Sequence, residues 1–181
     1  MSSGNTFPYL KEFVYGGIDG SVTTFAVVAG ATGAELNSSI IIVLGFANLI
    51  ADGFSMSVGN YLSVKSEIAY GKNGIHIPNS RSPLQTAGAT FISFIIMGFI
   101  PLLIYVLSYL DVLKVDSLFA ISTILTLFGF VFIGFLRSHI TNTSYFKSIV
   151  ETLFLGGVAA LLAYFVGNIL ENMLGIDEVI R

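Results

Sequence analysis

Two aspartates stand inside apolar stretches of this sequence, and their chemical type makes them the residues best suited to a function. Asp19 lies in GGIDGSVTTFAVVAG, and Asp52 lies in IIIVLGFANLIADGFSMSVGNYL. A carboxylate at membrane depth is costly unless it faces a cavity, a partner or an ion. We therefore expect both aspartates to belong to a functional site, and the chemistry they suggest is the movement of a cation.

Further donor groups share the faces on which these aspartates lie. At 3.6 residues per turn, one arc of about 100° on the second stretch collects its polar and small residues: Gly45, Asn48, Asp52, Ser55, Met56, Gly59 and Ser63. A similar stripe on the first stretch consists of Gly16, Asp19, Thr23, Ala26 and Gly30. Two such stripes facing each other would line a polar path.

The donors on these stripes narrow the class of metal. Asp19, Asp52 and Asn48 offer hard oxygens, whereas Met56 offers a soft thioether, for which Mg²⁺ and Ca²⁺ have little use. A mixed set favours Fe²⁺, Mn²⁺ or Co²⁺ as a transported substrate, with Thr23 and Ser55 as secondary ligands. Protons compete with a metal for the same carboxylate oxygens, which indicates metal/proton exchange.

Structural explanations compete with this interpretation. An intramembrane aspartate can simply hydrogen-bond to a neighbouring helix, and a methionine such as Met56 can merely fill space. The chain would then be a non-transporting membrane scaffold or interaction protein. An enzyme is less favoured, because the apolar stretches contain no Ser/His/Asp set and no HExxH motif. His76 is typical of a solvated loop residue, because only Glu67 nearby could share a metal with it.

Composition identifies the elements that must position these residues. The 181 residues are 54% hydrophobic and 10% charged, with a mean hydropathy of +0.85, whereas soluble domains carry about 25% charged residues. Five apolar stretches reach the length of about 20 residues that a membrane helix needs: 14–34, 39–64, 84–110, 118–136 and 149–170. We predict an all-α polytopic membrane protein with five transmembrane helices, forming a single domain over 1–181.

Charge and cysteine content restrict partners and orientation. The sequence contains no cysteine, which excludes disulfides and thiolate metal ligands. Its net charge of -3 gives no basic surface for nucleic acid. Cations are concentrated on one predicted side of the membrane, at Lys11, Lys65, Lys72, Arg81, Arg137 and Lys147, while Lys114 and Arg181 lie on the other. The positive-inside rule then predicts a cytoplasmic N-terminus and an outer C-terminus.

Several segments resemble the vacuolar iron transporter family in order and spacing. They are YGGIDGSVTTFAVVAGATGA, GFANLIADGFSMSVGNYLSVKSE, PLL in the third stretch and GGVAALLAYFVGNIL. The resemblance implies a five-helix membrane fold without a resident cofactor, and a homodimer whose pathway between subunits is lined by the first two helices. It also implies Fe²⁺ export from the cytosol against protons, with Asp19 as the central carboxylate and Met56 as a metal ligand. The protein would lie in the cell membrane of a prokaryote or the vacuolar membrane of a eukaryote.

The sequence departs from that family in two places. Plant members carry a glutamate eight residues before the methionine, where this chain has Asn48, and they carry a small residue where this chain has Asp52. The carboxylate has therefore moved one turn along the same face. Plant members also insert a glutamate-rich helical domain between the second and third helices, whereas the connection here, at 65–83, is short and contains Glu67 as its one acid. We expect no tight cytoplasmic metal site in this connection.

Overall fold

The computed structural model describes residues 9–71 and 82–175, which form five helices. Their bounds are Leu10–Gly33 for α1, Ser38–Gly71 for α2, Pro83–Tyr109 for α3, Leu118–Thr141 for α4 and Tyr145–Leu174 for α5. All five are long and apolar enough to cross a membrane. The prediction of an all-α protein with five transmembrane helices is confirmed.

Several helices extend past the ends that hydropathy predicts. α2 continues to Gly71, seven residues beyond its predicted end, and α4 continues to Thr141 rather than ending at 136. Hydropathy marks the segment that the hydrocarbon core encloses, but helical hydrogen bonds continue in water until a local stop signal. Asn142, with φ of 50°, supplies such a signal by ending α4 in the left-handed conformation. His76, Lys72, Arg81 and Arg181 lie outside the described residues.

The first helix lies at the centre of the bundle. α1 packs against each of the other four helices, while α2 contacts α1 and α3 and α5 contacts α1 and α4. Half of the apolar 18-residue stretch is buried in both α1 and α3, against 22% for α2 and 17% for α5. The core is therefore built around α1 and α3, and α2 and α5 leave most of their surface at the periphery.

Glycines at the helix crossings allow the backbone of α1 to come close to the backbones of α3 and α5. A Cβ atom on Gly20 would lie 2.9 Å from the Cα of Phe94 in α3, and one on Gly98 would lie 2.7 Å from the carbonyl oxygen of Gly20. On the α5 side, the backbone of Gly167 meets the carbonyl of Gly30. Small residues at such crossings let membrane helices gain van der Waals contact that larger side chains would prevent.

Pro101 lies inside α3, which continues through it without interruption. A proline has no N–H to donate to the carbonyl four residues earlier, so the carbonyl oxygen of Met97 loses its helical partner. The hydroxyl of Ser21 in α1 donates to that oxygen at 3.3 Å, and Ser122 in α4 donates to the carbonyl of Pro101 at 2.6 Å. The proline thus leaves one acceptor that α1 uses, and its own carbonyl accepts a bond from α4.

We predict that Gly20→Ala destabilises the protein although alanine is the better helix former. The added methyl group would press on the backbone of Phe94, and such overpacking costs about 1–3 kcal/mol. Gly88→Ala is the matched control, because nothing lies within 4 Å of its Cβ position, and it should gain up to about 1 kcal/mol in helix propensity. Thermal unfolding of both purified variants in detergent measures the difference. Equal melting temperatures would contradict the close crossing of α1 and α3.

Candidate functional site

Asp19 and Asp52 lie at the same depth in the bundle. α1 ends at Gly33 and α2 begins at Ser38, and the turn between them brings the chain directly back. Asp19 lies 14 residues before Gly33, and Asp52 lies 14 residues after Ser38. At a rise of 1.5 Å per residue, both carboxylates are about 21 Å from the turn. A hydrocarbon core about 30 Å thick that begins near this turn encloses both.

Asp19 and Asp52 belong to the same chain and lie close enough for the charge of Asp52 to act on Asp19. The negative charge of Asp52 acts on Asp19, which is half-buried in the bundle, whereas Asp52 is exposed on its surface. Like charges repel strongly where the local dielectric constant is low. A bound divalent cation would neutralise both charges, and a proton would relieve the repulsion in part. Asp19 and Asp52 therefore form a carboxylate pair within one chain.

Asn48 and Thr23 lie one helical turn from this pair, towards the α1–α2 turn. Thr23 lies ten residues before the end of α1 at Gly33, and Asn48 lies ten residues after the start of α2 at Ser38. The two residues therefore lie at the same depth in the membrane. The hydroxyl of Thr23 donates to the backbone carbonyl of Asp19 at 2.8 Å, which leaves its oxygen lone pairs available. The amide nitrogen of Asn48 is buried and has no hydrogen-bond partner among the described residues. A buried amide without a hydrogen-bond partner costs folding free energy. Packing alone therefore does not explain why an asparagine stands at this position.

Ser55 and Met56 lie about one turn beyond Asp52 in the opposite direction. Ser55 is exposed and Met56 is half-buried. The structure therefore arranges the six candidate residues along a strip of α1 and α2, with the carboxylates in the middle, the amide on one side and the thioether on the other. The strip runs along the helix axes rather than around a single point.

Three glycines of the predicted α1 and α2 stripes do not belong to this strip. A Cβ on Gly45 would collide with the side chain of Leu102, and one on Gly16 would collide with the carbonyl of Thr90, so both are contact points with α3. A Cβ on Gly30 would lie 3.3 Å from the carbonyl oxygen of Ala163, so Gly30 is a contact point with α5. The polar strip is therefore narrower than the helical periodicity predicts. Periodicity groups residues by angle, but it does not reveal which part of the arc a third helix occupies.

Asp52 faces outward from a single subunit, among apolar neighbours. The adjacent turns of α2 expose Ile50 and Phe54, at 56% and 64% of their surface. Of α2, the buried residues are Ile41, Gly45, Leu49 and Gly53, which form the face towards α3. A charged group on a lateral surface at hydrocarbon depth is incompatible with direct contact to lipid.

No group of three or more His, Cys, Asp or Glu residues that could hold a metal occurs within 9–71 and 82–175. The described ion pairs join Lys114 to Asp111 and Arg137 to Glu151, and neither involves Asp19 or Asp52. One subunit thus supplies two carboxylates, an amide and a thioether, without a basic residue paired to the carboxylates in the described ion pairs. Such a set is suited to transient binding of a cation.

Sequence reasoning missed one acid and one polar contact near this strip. Glu12 is half-buried and lies two turns before Asp19, on the same face of α1. The spacing of seven residues could have identified it, but it precedes the predicted span. The second omission is Asn60, whose amide donates to the hydroxyl of Thr90 at 2.6 Å, beside a bond of 2.9 Å from Ser57 to the carbonyl of Ala87. These bonds join α2 to α3, which is a structural role.

Comparison with known proteins places this arrangement in a family. The model of the VIT family matches residues 10–76 and 68–168. "Vacuolar iron transporter 1" of Arabidopsis thaliana is 26% identical over 220 residues, which covers 90% of this chain and 86% of that protein. "Vacuolar iron transporter" of Centaurea cyanus is 27% identical, with 86% and 85% covered. "Vacuolar iron transporter" of Toxoplasma gondii is 49% identical over 59 residues, which is 33% of this chain and 20% of that protein. Because the family match extends over the greater part of all five helices, this chain belongs to the VIT family.

Proposed function

We propose that this protein transports a divalent transition metal, Fe²⁺ or Mn²⁺, across the membrane. The observation that carries the proposal is the pair Asp19 and Asp52, which lies at one hydrocarbon depth, 14 residues from either end of the α1–α2 turn, and has no basic partner in the described ion pairs. Groups of this kind are retained in membrane helices where an ion passes. The relatives named vacuolar iron transporters support iron as one substrate.

The ligand types support a transition metal over Mg²⁺ or Ca²⁺. The metal would be neutralised by the carboxylates of Asp19 and Asp52, and it would meet the amide oxygen of Asn48 on one side and the sulfur of Met56 on the other. Ordering hard donors and a soft donor along the path favours ions of intermediate softness. Thr23 and Ser55 add hydroxyl oxygens at the margins of the strip.

Proton exchange follows from the same carboxylates. After the metal leaves, two adjacent charges remain in a region of low dielectric constant, and proton uptake removes the repulsion. Metal binding then displaces the proton, so metal and proton move in opposite directions. With the N-terminus in the cytoplasm, as the distribution of cations predicts, the metal would leave the cytosol.

A homodimer would resolve the exposure of Asp52. The carboxylate lies on the lateral surface of one subunit, and a second copy packed against this face of α2 would separate it from lipid. Ser55, Gly59 and Ser63 are exposed along the same helix and would continue the polar lining towards the α2–α3 connection. The pathway would then lie between subunits, with one carboxylate pair contributed by each.

The cytosolic end would operate without a metal-gathering domain. The two family matches meet at 68–76, at the connection between α2 and α3. The alignment with the Arabidopsis relative extends over 220 residues, which exceeds the 181 residues of this whole chain. We infer that the additional residues of that relative belong to this connection. Glu67 is exposed near the end of α2, and metal would reach the strip directly from solution.

The first prediction concerns the carboxylates. Asp19→Asn and Asp52→Asn should each lower metal flux into proteoliposomes by roughly tenfold or more, equivalent to about 1.4 kcal/mol, and the residual flux should lose its dependence on a pH gradient. Asp116→Asn, in the exposed α3–α4 connection, is the control and should transport normally. Normal, pH-dependent flux in both strip variants would favour a membrane scaffold over a transporter.

The second prediction concerns which subunit supplies each member of the pair. Asp19→Asn and Asp52→Asn subunits with different tags are co-expressed, and the mixed dimers are isolated by two successive affinity steps. Because both carboxylates of a pair belong to one subunit, mixed dimers contain no intact pair and should remain inactive. If Asp19 of one subunit paired with Asp52 of the other, every mixed dimer would retain one intact pair and flux would return. Failure to isolate any mixed dimer of the two tagged chains would contradict the homodimer itself.

The third prediction concerns the thioether. Met56→Leu keeps the size and apolarity of the side chain and should cost little stability. Transport of Fe²⁺ or Co²⁺ should fall more than transport of Mn²⁺, because manganese prefers oxygen ligands. Met97→Leu is the matched control, since Met97 is buried in the core and contacts Gly17 of α1. Equal losses for all three metals, or none, would show that Met56 only packs.

A further inference from the structure

An apolar cavity lies between α1, α4 and α5, away from the carboxylate strip. Its volume is about 380 Å³. Its floor is formed by residues that are at most 8% exposed: Phe25, Ala29, Phe130 and Ala160. Its rim includes Leu127 and Leu161, which are 43% and 59% exposed on the lateral surface. The cavity therefore opens sideways, onto the surface that the membrane covers.

Aromatic rings give the cavity its shape. The rings of Phe25 and Phe119 stack with centroids 6.2 Å apart, and Phe119 stacks on Tyr164 at 6.3 Å. The ring of Phe130 meets Phe25 edge to face at 6.4 Å. Aromatic pairs prefer such stacked and edge-to-face arrangements. These four rings all line the cavity and form much of its wall.

A second hollow extends the cavity along α4. It has a volume of about 320 Å³ and shares Leu127 with the first. Its remaining lining is Ile124, Phe128, Val131 and Leu153. Together the two hollows form a groove, here called the α4–α5 groove, that runs along the helices and is lined almost entirely by hydrocarbon and aromatic carbon.

The groove has the depth of one membrane leaflet. α4 begins at Leu118, next to the α3–α4 connection, and the first cavity extends along it from Phe119 to Phe130. Twelve residues of helix rise about 18 Å, and half of the hydrocarbon core measures about 15 Å. The groove therefore runs from the membrane surface on the side of the α3–α4 connection to about the midplane.

We propose that the α4–α5 groove holds an acyl chain of a phospholipid from this leaflet. The groove is continuous with the lateral surface of the bundle, and its first hollow, of about 380 Å³, extends along α4 from Phe119 to Phe130, as an extended hydrocarbon chain would. Water is excluded because it needs polar partners, and the hydroxyl of Thr123 already donates to the carbonyl of Phe119 at 2.8 Å. The occupant is a chain that the bilayer itself supplies.

Filling the groove tests the proposal. Gly157 lines the cavity, and nothing lies within 4 Å of its Cβ position, so Gly157→Leu occupies the space without a collision. Gly88→Leu is the matched control, because Gly88 is equally open and does not line the groove. Melting temperatures are measured in detergent while a diacyl phosphatidylglycerol is titrated. The lipid should raise the melting temperature of the wild type and of Gly88→Leu by several degrees, and that of Gly157→Leu by less than half as much. An equal increase in all three proteins would overturn the proposal.

Fluorescence quenching by lipid measures contact with the groove directly. Because the chain contains no tryptophan, a single introduced tryptophan reports on one position. Leu127→Trp places a fluorophore at the groove, and Phe165→Trp places one on an exposed, lipid-facing position of α5. In vesicles containing a small fraction of brominated phospholipid, the fluorescence of the Leu127→Trp variant should be quenched at a lower fraction than that of the Phe165→Trp variant. Equal quenching would overturn the retained chain. If a free fatty acid raised the melting temperature in the same titration and the phospholipid did not, the assignment to phospholipid would be overturned. If Gly157→Leu changed the oligomeric state of the protein, the groove would be assigned to a second copy of the chain instead.

Discussion

A bilayer offers no water to a polar group, and this constraint organises the interior of the protein. Hydroxyl side chains throughout the spans donate to the carbonyl four residues earlier, as do Thr32, Thr90, Thr126 and Thr152. Even the carbonyl that Pro101 leaves without a helical partner receives the hydroxyl of Ser21. Among the described residues, the amide of Asn48 and the hydroxyls of Thr24 and Thr86 are buried without a hydrogen-bond partner. Of these, the amide of Asn48 lies one helical turn from the Asp19–Asp52 pair, whose charges stability does not explain.

The central helix links the fold to these exceptions. Gly20 and Gly30 of α1 allow α3 and α5 to approach its backbone. Asp19 directly precedes Gly20 and lies only about 20° from Gly30 around the helix axis, so the carboxylate stands beside these contacts. Because α1 is one rigid helix, its packing against α3 and α5 sets the position of Asp19 relative to Asp52. The short turn to α2 fixes the relative depth of the two carboxylates, and the glycine contacts fix the helix that carries Asp19.

The lateral surface of α2 differs from that of α4 and α5 by the polar strip that it carries among apolar residues. The α2 surface exposes Asp52 at hydrocarbon depth, where only a protein partner or an ion makes the charge acceptable. The surface formed by α4 and α5 contains an apolar groove with stacked aromatic walls, which hydrocarbon fills without any loss of hydrogen bonds. Because α2 contacts neither α4 nor α5 within the described residues, a subunit partner on one surface and lipid on the other do not compete.

The sequence by itself determined the class of the protein and the number of spans, and it suggested the residues proposed as the site. Apolar length reports directly on a hydrocarbon core of fixed thickness, and an aspartate within such a segment is exceptional wherever it lies. Helix ends in water were predicted less well, as the extension of α2 to Gly71 shows, because hydropathy no longer applies there. Only the tertiary structure decided which residues of each stripe remain free. Gly16 and Gly45 share an arc with the aspartates but are occupied by α3, whereas Asp19 and Asp52 belong to one subunit and one depth. Periodicity fixes angles about one helix axis, and the neighbours that fill those angles come from distant parts of the chain.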